Sequence, residues 1–298
     1  MDGSGLKRGI WYMLIASFSF ALTGACARYL RNDINPIELV LFRNIIGVCF
    51  ILLSIIKVPV IQVGGKSSLL IFRGVIGTLA LYTFFYGVSK IGLAISITYQ
   101  QSYPVFLSVL AAWFFKERLR MAEWLAIILG LIGLCLIFLP SAELSTIHSR
   151  NHVIGLTNAL MTGLAYLSIR GLSAIYDHRV IILSFMLSGI VLPLISLSLG
   201  TFISAPYLDF LMDDFDMPKF SNLPAIMLLG VAALVGQIYL TKAFSYQKTG
   251  VIAAVGYSNI VFSILFGVIL GDGIPDLMSF LGIILIILCG IIVSFKNK

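Results

Sequence analysis

The chain has 298 residues, of which 59% are hydrophobic and 11% charged, a net charge of +7 and a mean hydropathy of +1.04. A soluble domain carries about a quarter charged residues, so this composition excludes a soluble globular enzyme. Apolar stretches of about 20 residues recur from end to end, each long enough to cross the hydrocarbon layer as a helix. An open sheet edge in lipid would leave backbone groups unpaired, so the fold class is an all-α membrane protein.

Ten spans are expected, near 9–29, 36–56, 69–89, 92–115, 122–140, 153–174, 180–203, 223–245, 249–270 and 277–295. Lys7 and Arg8 precede the first. It is long for a signal peptide and no clear cleavage site follows, so it reads as a retained span. It carries Ser17, Ser19 and Thr23, while Tyr12 and Tyr29 stand near its ends as interface anchors.

The second span holds Arg43, about seven residues in, after "ELVLF". A buried arginine is costly and usually paired or functional. It is a possible anion contact, because its planar fork suits a carboxylate or phosphate. The bland alternative is snorkelling, or pairing with Glu38.

The third span carries Tyr82, Thr83 and Tyr86. In the fourth, "ITYQQSYPVF" (Ile97–Phe106) sets a run of hydrogen-bonding side chains before Pro104. Proline has no N–H, so the carbonyl of Gln100 loses its helical partner and the helix should kink there. A free carbonyl in lipid costs several kcal/mol, so this segment should face water or other helices. Helical spacing puts Ser96, Tyr99, Gln100 and Tyr103 on one face, with Gln101 and Ser102 to the sides. "KERLR" then forms a charged cap, and Glu117 within it is assigned no catalysis.

The sixth span carries Asn158, Thr162 and Tyr166 one turn apart, the eighth Gln237 and Thr241, and the ninth Tyr257, Ser258 and Asn259. The expected substrate-binding set is Tyr82, Tyr86, Tyr99, Gln100, Tyr103, Thr162, Tyr166, Gln237, Tyr257 and Asn259. Aromatic walls with uncharged donors and acceptors suit a small, partly apolar organic solute. Arg73, Arg170 and Lys242 lie near span ends and read as guards of the inner mouth. Gly130, Gly133, Gly282 and Gly290 permit close backbone approach, first within each half of the chain and secondly in a dimer.

Most lysines and arginines, among them Lys7, Arg8, Lys57, Lys66, Arg118, Arg120 and Arg179, fall on the side of the N-terminus. Both termini are therefore expected in the cytoplasm. The positive charge reports topology and contact with anionic lipid rather than nucleic-acid binding. The acidic "DFLMDDFD" loop (Asp209–Asp216) reads as solvated.

The chain repeats itself. "KIGLAISITYQ" (Lys90–Gln100) matches "KTGVIAAVGYS" (Lys248–Ser258) at an offset of 158, pairing Gly92 with Gly250 and Tyr99 with Tyr257. "AIILGLIGLCLIF" and "FLGIILIILCGIIV" follow in the two halves, and "GIWYMLIASFSFALTG" aligns loosely with "GLTNALMTGLAYLSIR". Two five-helix units are expected, residues 1–145 and 146–298. An odd number of spans per unit turns the second upside down, a device of secondary transporters.

These paired units, the short fourth and ninth helices opening with glycine, "PVFLSVLAAWFFKERL" (Pro104–Leu119) and the "GLIGL" helix resemble the EamA-type members of the drug/metabolite transporter superfamily. The second half departs from that pattern, with Ile260 or Phe262 in place of Pro104 and Asp272 in place of the usual glutamate. The resemblance implies ten helices around a central cavity, with alternating access. It also implies an arginine near position 43 on a helix outside that cavity. It names no solute.

The expected function is secondary transport, in the export direction on family grounds, of a small metabolite such as an amino acid across a bacterial inner membrane. The alternative is import or exchange of an anionic or nucleotide-type metabolite. No Asp or Glu lies in the middle of a span, which argues against proton-coupled antiport of cations. An enzyme is disfavoured: there is no GxSxG and no P-loop, and "HSRNH" (His148–His152) lacks the glutamate of HExxH. His148, His152 and His178 read as loop residues. A channel would need rings of carbonyls or charges. No cofactor or metal is expected. Cys26, Cys49, Cys135 and Cys289 sit in apolar spans as small hydrophobes. Monomer and homodimer both remain open.

Overall fold

A computed structural model describes residues 3–30, 33–60, 64–91, 93–116, 118–138, 149–200, 211, 215–246, 249–271 and 277–295. Glu117, His148, Lys248, Asp272 and most of the Asp209–Asp216 loop lie outside the described residues. Within them the chain is helical and contains no strand. In order the helices are α1 (Gly3–Leu30), α2 (Pro36–Lys57), α3 (Ser67–Ile91), α4 (Leu93–Gln100), α5 (Tyr103–Phe115) and α6 (Met121–Phe138). They continue as α7 (Ser149–Ser173), α8 (His178–Gly200), α9 (Leu223–Ser245), α10 (Thr249–Val255), α11 (Ser258–Ile269) and α12 (Leu277–Phe295). Seven helical stretches among the described residues are long and apolar enough to cross a membrane, and Tyr103–Phe115 and Met121–Ile137 are shorter apolar helices. The surface fits that setting, since large apolar side chains such as Trp11, Ile56, Trp113 and Phe220 stand exposed on it.

Local signals place the helix ends. The Asn35 side chain accepts from Glu38 N at 2.9 Å, and Glu38 accepts in return from Asn35 N at 3.4 Å, with Pro36 at the first turn. This reciprocal cap and pre-set proline start α2 firmly. Glu38 also accepts from the Asp216 amide. It is therefore engaged at the helix start and is not the partner of Arg43.

The fourth predicted span is two helices, α4 and α5, meeting at Gln101–Ser102. Pro104 sits in the first turn of α5, where its missing N–H is harmless. The ninth span is likewise split into α10 and α11, at Gly256–Tyr257, with no proline involved.

Packing follows a regular exchange. α1 packs along α9 and α3 along α7; α2 crosses α8 and α6 crosses α12; α5 lies on α7 and α11 on α1. The largest core cluster joins Met13 and Ala16 of α1, Leu107 of α5, Leu134 of α6, Phe244 of α9 and Val251 of α10. Gly133 and Gly282 face one another where α6 meets α12, so close that a Cβ on either would strike the other's carbonyl oxygen. The close approach lies between the two halves of the chain, not within each half as the spacing of glycines had implied. Gly130 makes room for the Tyr257 ring.

The turn between α7 and α8 is tied to the end of α2. Arg179 pairs with Asp177 at 2.8 Å and donates to the Ser54 and Val58 carbonyls at 3.0 and 2.8 Å. The Arg179 hydrogen bond holds the Asp177 carboxyl below the usual aspartate range. A lowered folded pKa adds stability above the ordinary aspartate pKa, and that stability is lost as pH falls through the folded value. Asp177→Asn is thus expected to destabilise by about 0.5 kcal/mol at neutral pH. The gap to wild type should close in acid, as read by thermal melts at the two pH values.

Candidate functional site

The two helix breaks meet. Gln101, 5% exposed, donates from Nε2 to Asn259 Oδ1 at 3.1 Å, and Asn259 Nδ2 donates to the Ser17 carbonyl of α1 at 2.8 Å. Gln101 and Asn259 are 158 residues apart, the same offset that relates the repeated segments. Straight-helix counting sends Gln101 to the side and Gln100 to the face. The break between α4 and α5 resets that register, so Gln101 reaches the partner while Gln100 is half-buried.

Next in sequence to this break, Tyr103 belongs to an aromatic cluster. The Tyr103 ring meets Tyr166 edge-on at 5.0 Å, and Tyr166 lies 5.2 Å from Phe244. The Tyr103 hydroxyl rests against Gly256, at the α10–α11 break. On α7, one and two turns from Tyr166, Thr162 and Asn158 are buried. Asn158 Nδ2 donates to the Ala80 carbonyl at 2.6 Å and to Thr83 Oγ1 at 3.1 Å, whereas its Oδ1 and Thr162 Oγ1 have no partner among the described residues.

Arg43 and Arg73 are both buried, at 6% and 1% exposure. The Arg73 guanidinium stacks 4.5 Å over the Phe185 ring. Arg73, expected to guard the inner mouth, is instead an interior residue. Arg170, expected in the same role, is half-buried, donates to Thr249 Oγ1 at 2.9 Å and lies over Phe115.

Other expected site residues point elsewhere. Tyr99 is hydrogen-bonded to His152 Nδ1 and packs its ring on Gly155 of α7. His152 is therefore a helix residue of α7, and His178 opens α8, so neither is the loop residue expected. Tyr257 is fully buried against α6, its hydroxyl 3.5 Å from the Ile127 carbonyl. Tyr82 donates to Ser196 Oγ on α8 at 3.1 Å. Tyr86 lies under Lys90 and Arg150. Gln237 bonds Thr241 on its own helix at 3.5 Å. No three His, Cys, Asp or Glu side chains gather as metal ligands among the described residues.

A cavity of about 880 Å³ opens where α2, α8 and α9 converge, lined by Phe50, Ser54, Tyr176, Asp177, Ile238 and Lys242 among others. Lys242 there lies 5.5 Å over the Tyr239 ring and 5.9 Å over Tyr12. None of the expected substrate-binding residues lines this cavity.

The apolar exterior and the polar seam define an all-α, multi-pass membrane protein. A model of the EamA-like transporter family matches residues 7–139. An uncharacterized transporter of Helicobacter pylori is 31% identical over 290 residues, covering 96% of this chain and 94% of that protein. The chain belongs to the EamA-type transporters of the drug/metabolite transporter superfamily. The pseudopaline exporter of Pseudomonas aeruginosa is 29% identical over 98% of each chain. The S-adenosylmethionine uptake transporter of Rickettsia conorii is 23% identical over 97% of this chain and 93% of its own. A solved crystal structure matches the fold with a TM-score of 0.79 at 15% identity, over 99% of this chain and 100% of that one.

Proposed function

We propose that the chain is a secondary transporter that carries a small organic metabolite across a bacterial inner membrane by alternating access. Its architecture in this reading is two inverted five-helix repeats, residues 1–145 and 146–298, enclosing a solute path at mid-membrane, with both termini cytoplasmic. The observation that carries the reading is the Gln101–Asn259 contact. Two residues related by the repeat offset touch at the breaks of two interrupted helices, which is where inverted-repeat carriers place their sites. The packing supports it: α1 on α9 has its counterpart in α7 on α3, and α2–α8 and α6–α12 are each their own counterpart.

The solute path is assigned to Gln100, Gln101, Tyr103, Tyr166 and Asn259. The relatives are named for both export and uptake. Export is our reading of direction, since the exporter is the more similar of those two.

Purified protein in liposomes should show saturable uptake that is stimulated by solute on the opposite side. Uptake that rises linearly and ignores counter-solute would replace the carrier with a pore. Single cysteines at Gln100 and Asn259 should react with water-borne reagents from at least one side of the bilayer. If both stay unreactive from both sides, the site is misplaced.

A further inference from the structure

We propose that the cavity where α2, α8 and α9 converge holds an anionic phospholipid, its phosphate at Lys242 and an acyl chain along Phe50, Ile182 and Ile238. The site goes beyond the transport reading and does not depend on it.

The polarity of the walls carries the inference. The cavity, about 880 Å³, is near the top of the ~300–1,000 Å³ range of organic ligand sites. Each of its three helices changes character within about one turn, and in the same direction. On α2, Phe50 and Ile51 give way to Ser54 toward the helix end at Lys57. α8 opens with His178 and has Ile182 one turn further in. On α9, Leu234 and Ile238 are followed by Lys242, in the last turn before Ser245. Arg179 sets the start of α8 level with the end of α2, by donating to the Ser54 and Val58 carbonyls. The cavity is therefore polar at the helix ends, where lipid headgroups lie, and apolar further into the span. Phe50 lies two turns inside the end of α2, about 10 Å along the helix. A small polar solute would leave those inner walls bare, whereas an amphiphile covers both ends.

Charge selects the head. Asp177 also lines the cavity, but both its carboxylate oxygens are taken. Oδ1 accepts from Arg179 N and Nε at 2.8 and 3.1 Å, and Oδ2 from Nη2 at 2.8 Å. Among the described residues the Lys242 ammonium meets ring faces and no carboxylate, 5.5 Å from the Tyr239 centroid and 5.9 Å from that of Tyr12. A ring face attracts a cation without supplying a counter-charge, so this cavity presents a cation that complements an anionic head. Basic pockets between membrane helices suit such headgroups. A zwitterionic lipid carries its own cation beside the phosphate and has less to gain from Lys242. The way in is sideways: Phe50 and Leu53, 47% and 55% exposed, carry the apolar wall onto the outer surface of α2.

The test melts full-length protein in neutral maltoside micelles with added phosphatidylglycerol, phosphatidylcholine or glycerol phosphate, while native mass spectrometry counts retained lipid. Phosphatidylglycerol should raise the Tm by mass action, with one molecule retained. Phosphatidylcholine should do less, and glycerol phosphate, a head without a chain, nothing. An equal shift with glycerol phosphate would make this a site for soluble anions. An equal shift with phosphatidylcholine would make the lipid an unselective coat. Either result overturns the proposal.

Lys242→Gln should weaken phosphatidylglycerol retention by about fivefold, and Lys242→Arg should keep it. Lys57→Gln removes a nearby cation that does not line the cavity, and should also keep it. If Lys57→Gln loses as much lipid as Lys242→Gln, the attraction is diffuse and the proposal fails. Ile238→Trp fills the apolar wall with Lys242 intact and should lose the lipid too. If Lys242→Gln melts lower without lipid, retention by Lys242→Arg together with loss by Ile238→Trp still supports the site, and the opposite pair of results overturns it. Retained lipid in a protein that exchanges no solute would sink the carrier reading and leave this site standing.

Discussion

Gly133→Val and Gly282→Val are each expected to leave little or no folded protein in the membrane. A Cβ on Gly133 would stand 2.7 Å from the Gly282 carbonyl oxygen, and one on Gly282 would stand 2.5 Å from that of Gly133. Both obstacles are backbone, so no rotamer change relieves them. Leu285 and Ile286, each 3.1 Å from the first Cβ, and Ile137, 2.6 Å from the second, close the flanks. Overpacking a filled core costs about 1–3 kcal/mol where side chains can shift; here two helices must part. In lipid such contacts are held by close van der Waals packing, because lipid tails give helices no apolar incentive to associate. Alanine at either position should be milder than valine. The measurement is the yield of monodisperse protein on size exclusion, followed by a thermal melt. Wild-type yield for both valine variants would mean that α6 and α12 do not meet at these glycines.

The second large effect concerns the seam between the helix breaks. Asn259→Leu leaves the buried Gln101 amide without its partner. An orphaned buried amide costs about 1–3 kcal/mol, so the single variant should melt clearly lower. Adding Gln101→Leu removes the orphan and should restore most of the stability, since replacing both partners by apolar groups can be nearly neutral. Solute exchange should stay depressed by about tenfold or more, equivalent to about 1.4 kcal/mol on the barrier. Stability and transport therefore part company in the double variant. Recovery of both together would make the pair mere glue between helices.

How much of this could be read from the residues depends on what each signal measures. Hydropathy marks how deep a residue sits along a span, and it located the apolar segments well. It does not tell which way a side chain turns around the helix axis. Arg73 shows the difference: six residues from the start of α3 it reads as a mouth residue, yet Gly77 and Phe185 hold it in the interior. Pro104 flagged a disturbance in the fourth span because proline removes a known hydrogen bond. The matching break at Gly256–Tyr257 has no such marker. A face count sends Gln101 to the side because it assumes an unbroken helix, whereas the break lets Gln101 reach Asn259. The glycine pair was legible as a device, but its partner was not, because Gly133 and Gly282 are joined only by the tertiary fold. The repeat offset came closest to foretelling a contact, as Gln101 and Asn259 obey it.

The clasp between Arg179 and the last carbonyls of α2 has a mechanical consequence. At its other end α2 is held by Glu38, which grips both Asn35 and Asp216. A rod pinned at both ends transmits force without bending, so α2 and α8 travel as one strut. In the alternating-access reading proposed above, rocking would be absorbed by α4–α5 and α10–α11, whose missing turns would act as elbows.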